Sequence, residues 1–206
     1  MLHFETIEPR TFTLLARLQS LEPLRGFYLV GGTALALQYG HRKSVDLDLF
    51  THDSFNRSEL LDVLTKEFGS EFLFEGKETN WSLFSFIRNI KVDFINYPHK
   101  LIHKTIEIDS IRMYSVNDIA AMKINAILGQ RKDFWDIAEL LGHYKLEDLI
   151  EFHKSKYPSQ MLLVSIPEAL TYFEDAENSE DPITLRKQSW EDVKNKIRHH
   201  VNLFLK

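Results

Sequence analysis

The 206-residue chain is 44% hydrophobic and carries 15 phenylalanines, enough apolar mass for one sizeable core or two small ones, which excludes disorder as its default state. Its 25 Lys plus Arg against 30 Asp plus Glu give a net charge of −5, which argues against a surface that coats nucleic acid broadly and leaves room only for a local basic groove. Without cysteine there is neither a disulfide frame nor a thiolate metal site. The opening "MLHFETIEPR" has no apolar signal core, and no apolar run approaches the ~20 residues that span a bilayer, so no membrane association and a cytoplasmic location are expected.

In chain order, "EPRTFTLLARLQSL" places Phe12, Leu15, Leu18 and Leu21 near helical spacing and predicts an amphipathic helix. "FYLV" predicts a short buried strand ending at Gly31-Gly32. A short helix follows from Thr33 to Tyr39, closed by Gly40, and then a strand, "VDLDLF". "NRSELLDVLTKEFG" is a helix by its capping residue and its terminal glycine. From Phe72 to Tyr114 the texture is strand: "WSLFSFIRNIKVDFINY" predicts two strands around a tight turn at Arg88-Asn89, and "IEIDSIRMYS" one or two more. After Ser115 the pattern turns helical, with helices from Ser115 through Leu128, over "KDFWDIAELL", Leu146–Lys154 and Pro167–Asp175, and from Ser189 to about Leu205. The acidic "EDAENSEDP" reads as a solvated connector. The order predicts an α+β fold, a mixed sheet flanked by helices over residues 1–114, followed by a helical region over 115–206.

Asp46 and Asp48 are two apart in a strand and project to one face, with Val45, Leu47 and Leu49 on the other. If buried, like charges this close need a cation between them, supplied by a divalent metal or by neighbouring Arg42 and Lys43; the alternative is an exposed strand end. Oxygen-only ligands suit Mg²⁺ or Mn²⁺. The Gly31-Gly32-Thr33 turn at a strand-to-helix junction suits a phosphate, because glycine lets a ligand approach and the helix start offers free amides. Asp93 interrupts an apolar strand with Lys91 on the same face, either as a third acid or as one half of an ion pair. Three such acids have the makeup of a two-metal phosphoryl or nucleotidyl transfer site.

The blocks "LVGGTALALQYGHRKSVDLDLF", "KVDFI", Lys123 in "DIAAMKINAIL" and "RKDFWDIAELL" resemble, in order and rough spacing, the AbiEii/AbiGii toxin family of DNA polymerase β-like nucleotidyltransferases, over about residues 25 to 142. The resemblance implies a pyrophosphate-releasing nucleotidyltransferase using an NTP and Mg²⁺ or Mn²⁺, acting as the toxin of a toxin–antitoxin or phage-defence pair, with a cognate antitoxin as partner. It implies Gly31, Gly32 and Thr33 as the triphosphate turn, with Arg42, Ser44 and Lys91 beside the nucleotide. It gives Asp46, Asp48 and Asp93 as metal ligands and catalytic acids, and Lys123 as the helical lysine that meets the nucleotide. Asp133 and Asp136 match the acids of the last motif. Some relatives use tRNA as acceptor, with "HRK" and "QRK" as places for RNA to dock; a protein, a small molecule, or a silent NTP-binding module stay open as alternatives.

Two departures stand out. The turn carries Gly-Gly-Thr where many relatives have Gly-Ser, so either Thr33 supplies the hydroxyl or the amides suffice. "LGQR" stands before Lys132 where several relatives have another acid. Read without the family, Asp133 and Asp136 share a helix face with Leu140 and are expected at the edge of an interface, pairing with Lys123 or Arg131. The pairs His99/His103 and His199/His200 have no carboxylate at a metal-ligand spacing, and Trp81, Trp135 and Trp190 read as core or interface residues. The basic end of "EDVKNKIRHH" suits the helix dipole as well as any RNA.

Overall fold

Turns and caps written into the chain set where its elements begin and end. The computed structural model describes residues 1–74, 76, 81–127 and 131–206, with the side chain of Arg131 excepted. The expected helix end at Leu128, the Gln130 and Arg131 side chains expected near RNA, and the expected pairing of Arg131 with Asp133 or Asp136 lie outside the described residues.

Helix α1 (Pro9–Ser20) buries Leu14, Leu15 and Leu18, about 1.5–3 kcal/mol each. Strand β1 (Tyr28–Val30) runs directly into α2 (Gly31–Tyr39). That helix begins earlier than the expected Thr33, because Gly31 at φ 69° completes the turn alone. Strand β2 (Leu47–Thr51) starts two residues later than expected. Residues 41–43 are engaged elsewhere: the Lys43 amide donates to the Ile183 carbonyl and the Leu185 amide to the His41 carbonyl. Val45 is therefore 53% exposed instead of sharing the buried face of Leu47 and Leu49.

Helix α3 (Arg57–Phe68) is capped by Asn56, whose side chain accepts from the Glu59 amide. Strands β3 (Phe72–Phe74), β4 (Ser82–Ile87), β5 (Ile90–Asn96), β6 (Ile106–Ile108) and β7 (Ile111–Met113) follow. Arg88 and Asn89 both have positive φ, as do Asp109 and Ser110, the backbone of tight hairpin turns. Among the described residues the strands form one seven-stranded sheet in the order β3-β4-β5-β2-β1-β7-β6. It is mixed: β2 is antiparallel to β1 and parallel to β5, and β1 is parallel to β7.

The remaining elements are α4 (Val116–Asn125), α5 (Arg131–Leu140), α6 (Leu146–Lys156), α7 (Ile166–Thr171), α8 (Glu174–Glu177) and α9 (Trp190–Phe204). The single helix expected over Pro167–Asp175 is two short ones, because Tyr172 leaves helical geometry at ψ 100°. The expected acidic loop contains α8. One apolar cluster joins Leu29, Leu35 and Leu47 of the sheet half to Ile119, Ile137 and Val193 of the helical half. Trp135 is buried in it and Trp190 packs edge-on to Phe134 and Phe173, whereas Trp81 is 52% exposed, which leaves the interface half of the core-or-interface expectation for it. No described helix is long and apolar enough to cross a membrane.

Candidate active site

The sheet register places Asp48 opposite Val30 on one side and Asp93 on the other. Since Val30 is followed by Gly31, the glycine turn and the two acids converge on one end of adjacent strands. A Cβ at Gly31 would lie 2.4 Å from Asp48 Oδ2, and a Cβ at Gly32 would lie 2.1 Å from Arg42 Nη2. Each glycine thus serves a neighbour as well as the turn: the first leaves room for a carboxylate, the second for a guanidinium. Burial, reinforced by the charge of Asp93, pushes the Asp48 carboxyl up to about 6, although Lys123 and Lys91 pull it back. Asp93 is 5% exposed and accepts from Lys91 Nζ at 2.8 Å.

Asp136 lies at the centre of a buried charge network. Its Oδ1 accepts from Arg42 Nε at 2.6 Å and lies 2.8 Å from His41 Nε2; its Oδ2 accepts from Arg42 Nη2 at 2.9 Å and lies 2.7 Å from Lys123 Nζ. Lys123 also donates to Asp133 at 2.5 Å. The expectation that Asp136 sits at the edge of an interface is corrected, because its side chain is fully buried. Burial alone would raise its pKa, but the charges of Lys123 and Arg42, with hydrogen bonds from His41 and Arg42, hold it well below the carboxylate range. Asp136 therefore ties α5 to α4 and to the connection between α2 and β2, and commits Arg42 and Lys123 to fixed positions.

These elements enclose a recess of 150 Å³ lined by Gly31, Gly32, Thr33, Ser44, Asp46 and Asp48, and across from them by Arg42, Lys123, Lys132 and Asp133. Lys91, Asp93 and Asp136 are not in its lining; Asp93 stands beside Asp48 in the sheet, and Asp136 anchors the wall. Thr33 is almost fully buried: its hydroxyl donates to the Asp46 carbonyl at 2.5 Å and lies 2.8 Å from Ser44 Oγ. That hydroxyl holds the two sides of the recess together, which leaves backbone amides as the donors at the turn. Lys132, expected only within "QRK" as a place for RNA to dock, belongs to the recess: its Nζ lies 3.6 Å from Asp46 Oδ2. Its adjacency to Asp133 was the available signal. His41, expected only within "HRK", contacts Asp136 instead, and the 95-residue separation gave no local sign of that pairing.

Among the described residues, no three acidic or histidine side chains converge tightly enough to cage a metal by themselves. The donor set present is Asp46 and Asp48, oxygen-only and opening onto a recess beside an amide-lined turn. That suits an ion such as Mg²⁺ or Mn²⁺, which takes one or two carboxylates and completes its shell with water and substrate phosphate.

A comparison with known proteins places this geometry in context. Residues 13–203 match the family described as nucleotidyl transferase AbiEii toxin, type IV toxin–antitoxin system. An uncharacterized protein of Aquifex aeolicus strain VF5 is 33% identical over 202 residues, covering 93% of this chain and 94% of the relative. A Helicobacter pylori chain described as a nucleotidyltransferase superposes with a TM-score of 0.57 at 18% identity, covering 95% of both chains. JHP933 from Helicobacter pylori gives 0.56 at 18% identity over 96% of this chain and 92% of its own, so both show the same fold. The chain belongs to the AbiEii toxin family of nucleotidyltransferases from type IV toxin–antitoxin systems.

Proposed function

We propose that the protein transfers a nucleotide from an NTP to an acceptor hydroxyl, with release of pyrophosphate, in a reaction that depends on Mg²⁺ or Mn²⁺. The observation that carries this reading is the recess in which Asp46 and Asp48 face the Gly31-Gly32 turn, with Asp93 beside Asp48 in the sheet. Asp46 and Asp48 would hold the ion, which supplies charge neutralisation at the transferring phosphate when bound. The amides at the start of α2 take phosphate oxygens, helped by the positive end of the helix. Asp93, held by Lys91, helps activate the acceptor hydroxyl. Arg42 and Lys123, locked on Asp136, form a fixed cationic wall that positions the phosphates without rearrangement.

On this reading residues 1–114 are a nucleotidyltransferase domain, and residues 115–206 a helical domain that completes the cleft through Lys123, Lys132 and Asp133. The acceptor is an RNA, tRNA included, and the partner a cognate antitoxin, both in the cytoplasm; the family's description as a toxin–antitoxin toxin supports the antitoxin. The test is expression in a bacterial host without antitoxin. Wild type arrests growth, and Asp48→Ala, produced at equal level with an unchanged circular dichroism spectrum, does not. Growth arrest retained by Asp48→Ala would reject the mechanism.

A further inference from the structure

Beside the recess lies a cavity of 510 Å³, and the two share Arg42, Ser44, Asp46 and Lys132 in their walls. Whatever fills the larger space therefore touches the same Asp46 that faces the glycine turn. Its outer wall is the stretch from Ser179 to Ile183, part of what reads in sequence as a free acidic connector. That wall is anchored. The Lys43 amide donates to the Ile183 carbonyl at 2.7 Å, the Leu185 amide to the His41 carbonyl at 2.8 Å, and Arg186 Nη2 to the Tyr39 carbonyl at 2.8 Å. The connection that carries Arg42 into the site is the one that holds the wall in place.

The chemistry of the cavity is selective. Val45 and Ile183, 53% and 71% exposed, leave apolar surface uncovered in its lining. Glu180 and Asp181 add carboxylates, which accept hydrogen bonds and donate none when ionised. Arg42, Lys43 and Lys132 also line the cavity and balance the charge of Asp46, Glu180 and Asp181, while its outer wall suits an uncharged group with a flat apolar face and N–H and O–H donors at its edge. The volume is in the range of small-molecule sites, whereas the 150 Å³ recess is below it.

We propose that this cavity is the nucleoside subsite. It takes the sugar and base of the NTP whose phosphates lie on the Gly31-Gly32 turn, with the base against Val45 and Ile183 and its donors directed to Glu180 and Asp181. The assignment rests on the nucleotidyl-transfer reading above.

The test is equilibrium binding, in Mg²⁺, of the four α,β-methylene NTP analogues and of inorganic tripolyphosphate. It compares wild type with Glu180→Ala/Ile183→Ala, whose substituted side chains are both exposed. The double variant is expected to lose about tenfold in affinity for the analogue that wild type binds best. Tripolyphosphate, which has no nucleoside, is expected to bind both proteins alike. Unchanged analogue binding by the variant would overturn the subsite, and so would an equal loss for analogue and tripolyphosphate, which would mean the wall acts only through the 41–43 connection. Wild type that binds neither ligand would overturn the nucleotidyl-transfer reading itself, and the subsite with it.

Discussion

Asp136→Asn removes one negative charge and leaves the shape of the side chain almost intact. The charge it removes is, among the described residues, the one carboxylate bonded to the Arg42 guanidinium, whose side chain is 4% exposed and which donates to it through both Nε and Nη2. Lys123 loses one partner but keeps Asp133 at 2.5 Å. One buried cation is therefore stranded, not two. Removing one partner of a buried pair costs about 3–5 kcal/mol, and retention of the Asp133 contact places Asp136→Asn near 3 kcal/mol on that scale. For a chain of this length that is a fall in Tm of roughly 6–12 °C. The assay is urea unfolding, in which the midpoint falls at constant m, repeated in an Arg42→Met background where the penalty shrinks to about 1 kcal/mol. The pH dependence has a definite sign. A carboxylate held below its unfolded pKa stabilises the fold above about pH 4, and the contribution is lost as pH falls through the folded value. Asp136→Asn therefore unfolds with a flatter acid limb than wild type. A loss under about 1 kcal/mol, or an equal loss with and without Arg42, would refute the network as the link between the helices and the recess.

Gly32→Ala drives a methyl into the Arg42 guanidinium and should cost about 1–3 kcal/mol in urea unfolding, with less than additive effect in the Arg42→Met background; full additivity would contradict the contact. Asp48 is a carboxylate whose folded pKa is raised from 3.8 to about 6, so in EDTA it makes the fold less stable as pH rises through that window. Asp48→Asn should accordingly be more stable than wild type at pH 8, by up to about 3 kcal/mol, and within about 0.5 kcal/mol of it at pH 4. A variant stabilised equally at both pH values would show that ionisation is not the cause. Lys132→Met should leave stability within about 0.5 kcal/mol, because its pairing with Asp46 is solvent-exposed, while weakening NTP binding several-fold; unchanged binding would remove Lys132 from the site.

Local signals carried the recess into view: a glycine pair after a short strand, aspartates two apart, and an acid in an apolar strand are all readable over a few residues. The mixed sheet with helices about it was legible for the same reason, since alternation, caps and turn residues act locally. The register that sets Asp48 beside Asp93 depends on pairing strands more than forty positions apart, which no spacing rule supplies. The same holds for Asp136. Its helix face was legible, but full burial follows from the His41 ring, the Arg42 guanidinium and the Lys123 ammonium, which arrive from distant parts of the chain. The segment from Ser179 to Ile183 has the composition of a solvated loop, and only backbone hydrogen bonds to residues 41–43 turn it into a wall.

The most direct test of the central claim is incubation of wild type and of Asp46→Ala/Asp48→Ala with each α-labelled NTP, Mg²⁺ or Mn²⁺, and total bacterial RNA, resolved on a denaturing gel. Label on a discrete RNA band with wild type and none with the double variant is the predicted result, and the size of the band identifies the acceptor class. Equal labelling by both proteins would contradict the role of the paired aspartates. Absence of label from RNA, protein and small-molecule fractions alike, with NTP bound, would contradict nucleotidyl transfer.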